Sequence, residues 1–306
     1  MTLEALGSLM LTLPGATVTN RYDAVARITG ATGQSWTIGT DAFGFNRFTT
    51  KSQDLYDQGL IDRWGQPRVA SSTSWTLVDG IDGSMSITYG GATLSEAMGI
   101  DPREMTVEAL AALLFSLPGV TVTNSYDDVA RLTGVLSTAG WTVGTDAFGF
   151  NRFITKAQDT YTVIRGQARV ATSTSWSMVD GIDGSMSITV GDIGLAGALA
   201  IDPREMTLEA LASLLLTLPG VTVTNRYDAV ARLTGVSSTA SWTVGIDAFG
   251  FNRFLTRTLD TYTVIRGQGR VATSTTWTLV DGIDGSMSMT VGEIGLAGAL
   301  AIDPRE

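Results

Sequence analysis

The chain is written three times over, and that repetition limits its architecture more than any other feature. Aligning MTLEALGSLM at Met1, MTVEALAALL at Met105 and MTLEALASLL at Met206 brings nearly everything downstream into register. The second and third units match without a gap, at about four residues in five. The first unit is one residue shorter before Trp36 and four longer between Asp54 and Val69. Solenoids and propellers repeat every roughly 20–50 residues. A period near one hundred is instead close to the commonest domain size of about 100–150. The expectation is three tandem domains: 1–100, a variant with a longer loop at 57–67; 101–201; and 202–306, which ends on a helix-cap segment, 303–306, with no helix after it.

The spacing within each unit predicts an α+β fold, a mostly antiparallel sheet with one longer and one short helix. Leu208, Leu211, Leu215 and Leu218 form a helical stripe that LPG, ending at Gly220, stops. Asp202, Pro203 and Glu205 ahead of it have the form of a capping box, so the helix is expected to cross the repeat boundary. YDAVARLTG (Tyr227–Gly235) reads as the short helix with Gly235 as its C-cap, and IGLAGALAI as helix or buried strand. VTVTN, SWTVGID, FGFNRFLT and DTYTVI read as strands. The clearest hairpin is GRVATSTTWTLV-DGIDG-SMSMTVG. Each unit, with its own caps, turns and strands, is expected to fold independently. If the gene arose by fusion of a short chain that once formed a ring, the units would sit in a pseudo-threefold arrangement, bringing Thr2 near Asp303; a linear string or a filament is the alternative.

Composition removes several classes of function. With 20 Lys+Arg against 30 Asp+Glu the net charge is −10, and no basic stripe is present to displace phosphate counterions, so no nucleic-acid partner is expected. No apolar run approaches the ~18 residues of a membrane helix, and the N-terminus lacks the basic start of a secretory signal, which leaves localisation open. There is no Cys and no His. Disulfides, thiol chemistry, Cys/His zinc sites and imidazole acid–base catalysis are therefore outside its repertoire.

Four stretches are candidates for function. DAFGFNRF stands unaltered in all three units and contributes Phe43, Phe45, Asn46 and Arg47; Phe148, Phe150, Asn151 and Arg152; and Phe249, Phe251, Asn252 and Arg253. These are ligand-binding candidates if the rings stack on a sugar or peptide. The competing expectation, favoured because aromatics in a small domain usually fill its core, buries the rings and pairs Arg47 with Asp41. DGIDG invites a calcium reading through Asp79 and Asp82, but an EF-hand-type loop needs alternating oxygen ligands and a Glu at its twelfth position, which is Gly90 here; a turn is expected, and no metal. The hydroxyl-rich strands around Trp75, Trp176 and Trp277 offer interface candidates or solvated strands with one buried ring. Trp36, Trp141 and Trp242 read as core. The first unit's insertion adds Trp64, a fourth interface candidate on a loop.

No catalytic residue, cofactor or metal is assigned. Without His or Cys, an enzyme would need paired carboxylates, as in glycosidases, or a Ser/Lys arrangement, and no GxSxG or phosphate loop is present. The expectation is a non-enzymatic structural or assembly protein whose partners are proteins or further copies of itself: a virion component such as a capsid decoration or tail protein, or a surface-array subunit. A multivalent module binding carbohydrate or peptide through DAFGFNRF is the alternative, and a carboxylate-based hydrolase a more distant one.

Overall fold

The computed structural model describes residues 3–303. The first unit comprises α1 (Leu3–Met10), β1 (Thr17–Tyr22), β2 (Ile28–Thr40), β3 (Asn46–Tyr56), α2 (Gln58–Trp64), β4 (Val69–Gly80), β5 (Met85–Gly90) and α3 (Leu94–Met98). The second comprises α4 (Val107–Leu114), β6 (Val120–Tyr126), β7 (Leu132–Ser137), β8 (Gly140–Thr145), β9 (Asn151–Ile164), β10 (Gln167–Gly181), β11 (Met186–Val190) and α5 (Gly194–Leu199). The third repeats this as α6 (Leu208–Leu215), β12 (Val221–Tyr227), β13 (Leu233–Ser238), β14 (Ser241–Ile246), β15 (Asn252–Ile265), β16 (Gln268–Gly282), β17 (Met287–Thr290) and α7 (Gly295–Leu300).

The strands run as one antiparallel meander that does not stop at the unit boundaries. β1 pairs with β2, β2 with β3, β3 with β4 and β4 with β5. β4 is long enough to take two partners end to end on one edge: residues 76–79 face β5, and residues 71–74 face β6 of the next unit. β5 then pairs with β8, and β6 with β7, so a single row between the units is filled half by each. β8 continues to β9 and β9 to β10. β10 repeats the device, with residues 177–180 against β11 and 172–175 against β12. β11–β14, β12–β13 and β14–β15–β16–β17 complete the sheet. The β9–β10 tip is a two-residue turn with Arg165 and Gly166 both in the left-handed region (φ 51° and 75°), a conformation whose twist matches that of the strands it joins.

The hydrophobic core lies at the shared rows. At the first junction, Leu77, Ile87 and Tyr89 from one unit close over Leu110, Leu114, Trp141 and Val143 from the next. At the second, Met178, Ile188 and Val190 close over Leu211, Leu215, Trp242 and Val244. α4 and α6 are thus each packed on the last hairpin of the unit before, and each fully buried leucine there contributes about 1.5–3 kcal/mol. Polar contacts follow the same seams. The Trp75 and Trp176 indole N–H groups donate to the Leu117 and Leu218 carbonyls at 2.8 and 2.9 Å. Threonine hydroxyls meet in cross-strand pairs at Thr73–Thr121, Thr88–Thr142, Thr174–Thr222 and Thr189–Thr243. Gly119 passes so close beneath Trp75 that an added Cβ would lie 2.8 Å from the indole, and Gly220 repeats this under Trp176.

The α+β expectation is corrected. The structure is 51% strand and 20% helix, one 17-stranded sheet with only short helices. The helix that opens the third unit spans eight residues and does not cross the boundary. Its N-cap is Thr207, whose hydroxyl accepts from Ala210 N–H, while Asp202 caps a separate 3-10 turn at Pro203–Glu205, and Met206 between them is extended. Tyr227–Gly235 is not a helix. Asp228 accepts from the backbone of Val230 and Arg232 and bends the chain into a tight turn, Ala231 takes φ 63°, and Gly235 lies inside β13. NRFLT and DTYTVI are one continuous strand, β15. IGLAGALAI contains a helix in both copies, α5 and α7. Thr2 and residues 304–306, on which the expected meeting of the chain's start and end turns, lie outside the described residues.

Candidate functional site

The three DAFGFNRF loops lie at the same ends of the strands, each joining the strand that carries Trp36, Trp141 or Trp242 (β2, β8 or β14) to the next one. Aspartate organises each loop. Asp41 Oδ1 accepts from the Phe43 and Phe45 amides at 3.2 and 2.9 Å, and its Oδ2 from Asn46 Nδ2 at 2.9 Å. In the later units Asp146 and Asp247 hold both the amide and the side chain of Asn151 and Asn252. Asp247 sits below its ordinary carboxylate pKa because the Asn252 amide and then the Asn252 side chain donate to it. With its polar groups satisfied inward, the loop turns its aromatic rings outward.

This reverses the expected arrangement. Phe43, Phe148 and Phe249 are 84%, 82% and 79% exposed, and Phe45, Phe150 and Phe251 are exposed as well. Phe48, Phe153 and Phe254, at the end of the motif, are the rings turned against the sheet, over Gly39, Gly144 and Gly245. The arginines do not pair with the loop aspartates either. Arg47, Arg152 and Arg253 reach across to Asp79, Asp180 and Asp281, each at 2.9 Å. Arg152 also donates to the carbonyls of Met98 and Ile100, and so pins the end of the preceding unit.

Phe148 and Phe249 adopt φ 71° and 68°, a left-handed conformation that costs a bulky residue of order 1–3 kcal/mol. The Phe249 amide thereby donates to the Asp183 carbonyl, in the DGIDG turn of the preceding unit. Ile81, Ile182 and Ile283 of those turns are exposed and bonded by their amides to the Phe45, Phe150 and Phe251 carbonyls. Two phenylalanines and one isoleucine per unit thus make a periodic apolar ridge.

The DGIDG segment itself is a turn. Asp82 Oδ1 accepts from Ser84 N–H and its hydroxyl at 3.0 and 2.7 Å, which lowers its pKa, and Asp79 is held by Arg47. Among the described residues no three His, Cys, Asp or Glu side chains gather as a metal site.

The tryptophans occupy seams. Trp75 and Trp176 are half-buried at the two junctions, and Trp277 has Arg257 over its ring at 5.1 Å. Lys156 sits over both Trp141 and Trp176, its neighbours on the flanking strands, at 5.8 and 5.2 Å. Trp141 and Trp242 are core as expected; Trp36 is exposed. The insertion carrying Trp64 is α2, which straps the first unit to the second: Trp64 Nε1 donates to the Asp128 carbonyl at 2.8 Å and Arg63 pairs with the Asp128 carboxylate. Sequence reasoning missed Arg103 and Arg204, whose guanidinium groups bridge Asp101 to Asp180 and Asp202 to Asp281. Their signal was DPRE, which recurs at the start of the second and third units.

A cleft of about 820 Å³ lies between α2 and the turn at Asp23. The Asp23 carboxyl accepts from the Arg27 and Val25 amides and sits below its ordinary pKa, chiefly through the Arg27 amide. A glycosidase-type acid needs the opposite shift. Among the described residues no helix is long and apolar enough to cross a membrane.

Fold and site together define a tandem-repeat β-sheet protein whose units share rows and display one loop at a regular interval. No protein-family model matches the chain, and no curated protein matches it in sequence.

Proposed function

We propose that this chain is a non-enzymatic structural protein, a building block of a larger assembly of the virion or surface-array kind. The observation that carries this reading is the shared row. Its three units are joined by strand pairing and a buried core, where a flexible string of binding modules would be joined by linkers. A continuous sheet of this kind holds its repeated loops in fixed relation, which suits a load-bearing or lattice-forming part. In its native source the protein should fractionate with a high-mass assembly and be located on it by immunogold electron microscopy. Recovery from the native extract as a free 32.3 kDa chain overturns the reading.

A multivalent binding module is the second reading, and the exposed phenylalanines favour it. Three linked weak sites gain avidity without new contacts. Binding to a glycan or peptide array by the native chain, abolished by the triple replacement of Phe43, Phe148 and Phe249 with Ser, supports it; equal binding by both proteins, or none, counts against it.

A further inference from the structure

We infer that the two ends of the sheet are complementary halves of one interface, and that the occupant of each is a second copy of this chain, docked head to tail. The inference rests on the structural-protein reading and names its partner.

Both end rows are half filled. β16 carries β17 along residues 278–281, but residues 273–276, paired with β15 on one side, have no strand on the other side among the described residues, where their counterparts in β4 and β10 pair with β6 and β12. At the other end β1 fills half a row, and residues 36–40 of β2 lack the strand that β5 gives to β8 and β11 gives to β14. What one end lacks, the other end supplies.

The side chains match the backbone. Leu110 and Leu114 of α4 are 0% exposed in their junction, whereas their counterparts Leu6 and Met10 in α1 are 52% and 64% exposed. Trp141 is 2% exposed and its counterpart Trp36 55%; Ile188 is 0% and its counterpart Met289 49%. Where α6 lies on the β10–β11 hairpin, the equivalent place on β16–β17 is an apolar groove of about 570 Å³ lined by Trp277, Leu279, Met289 and Val291. The substitutions between internal junction and ends keep apolar volume, a kind of change packed interfaces tolerate.

Register follows from the two internal junctions. Thr275 of one copy would face Thr17 of the next, Thr290 would face Thr37, and the Trp277 indole would donate to the Leu13 carbonyl. Gly292 and Gly15 occupy the positions where Gly90 and Gly119 nearly touch at the first junction; nothing lies within 4 Å of a Cβ built on either, so room for the same approach is present. Phe43 is outside the left-handed region that Phe249 adopts beside the DGIDG turn of the unit before it. In the docked pair that turn comes from the partner. The mode is strand addition plus helix-in-groove, through two different faces, so it propagates unless its rotation closes a ring.

The test uses the full chain in sedimentation velocity or mass photometry from low to high micromolar concentration. The native chain should form species at multiples of 32.3 kDa. The double variant L6E/M10E blocks one end and M289E the other; all three sites are exposed, and unchanged circular dichroism melts verify the fold of each. Each variant alone should lose every species above the monomer, and an equimolar mixture should stop at twice the chain mass, since one good end remains on each. A native chain that stays monomeric throughout, a variant that assembles like the native chain, or a mixture that forms no dimer overturns the inference. A monomeric purified chain that is still found within a native high-mass assembly defeats head-to-tail docking and leaves the structural reading standing.

Discussion

Trp176 donates its indole N–H to the carbonyl of Leu218, 2.9 Å away and in the next unit's half of the seam. The same bond joins Trp75 to Leu117. Replacing Trp176 with Phe keeps most of the ring and deletes the bond, and a part-buried carbonyl that loses its donor costs about 1 kcal/mol. Trp176→Phe should lower the unfolding free energy by that amount, and Trp277→Phe, at the end of the sheet, by clearly less. Equal losses in urea melts would show that the seam bond is not what stabilises.

Asp180 is held by Arg152 at 2.9 Å and by Arg103 at 3.0 Å, and the Arg152 side chain is only 7% exposed. Removing one member of a buried pair leaves the other charge unpaired, at about 3–5 kcal/mol. Asp180→Ala should therefore be severe. Arg47→Ala, where the equivalent arginine is 56% exposed, should cost under about 1 kcal/mol. Chemical denaturation of both variants distinguishes the two environments.

Where the core lies decides which fragment folds. Residues 69–164 contain the complete first junction: Leu77, Ile87, Tyr89, Leu110, Leu114, Trp141, Val143 and Ile154. Residues 101–218 follow the sequence repeat but separate α4 from the β4–β5 hairpin it covers. The first fragment should melt cooperatively in calorimetry and the second should not. A sharp transition for 101–218 alone would restore self-contained units.

Much of this was legible in the sequence. The triplication, the DGIDG hairpins and the leucine stripe of α6 are all present. The sharing of rows was not, because an alternating strand carries the same pattern whether its neighbour belongs to its own unit or the next. The Asp202-Pro203 signal marks a 3-10 turn as well as a helix start; the better mark was Thr207, one residue ahead of the leucine stripe. For DAFGFNRF, composition argued for buried rings. The decisive factor was local: Asp41 draws the loop's amides inward, and the rings are left pointing away.

Phe148→Ala gives a direct check on that reversal. A core phenylalanine loses about 3–5 kcal/mol on truncation. Phe148, exposed and at φ 71°, should lose little, and Phe148→Gly, which removes the left-handed strain, should be neutral or stabilising by about 1 kcal/mol. A large loss in the Ala variant would place the ring in a packed environment.

Acid should be the only pH limb below the range of Lys and Tyr. Asp101 and Asp202 sit below their ordinary value of 3.8, first through side-chain hydrogen bonds from Arg103 and Arg204, with burial opposing. A lowered folded-state pKa means stability that is full above the unfolded value and is lost as pH falls through the folded one. With no His or Cys in the chain, the thermal midpoint should be level from about pH 6 to 8 and fall below about pH 4. Asp202→Asn should lower the neutral midpoint and flatten the acid limb; a midpoint that moves between pH 6 and 8 would contradict this.

The shared row also makes the molecule a ruler. Each unit adds four rows of strand, one of them shared with its neighbour, and with neighbouring strands about 4.8 Å apart the sheet advances about 19 Å per unit. Inserting or deleting a whole unit changes that length by one fixed step and leaves both end faces chemically as they were. The distance between successive phenylalanine loops is set by the same step, so the spacing of whatever they display is encoded in strand geometry and is independent of how many units a gene carries.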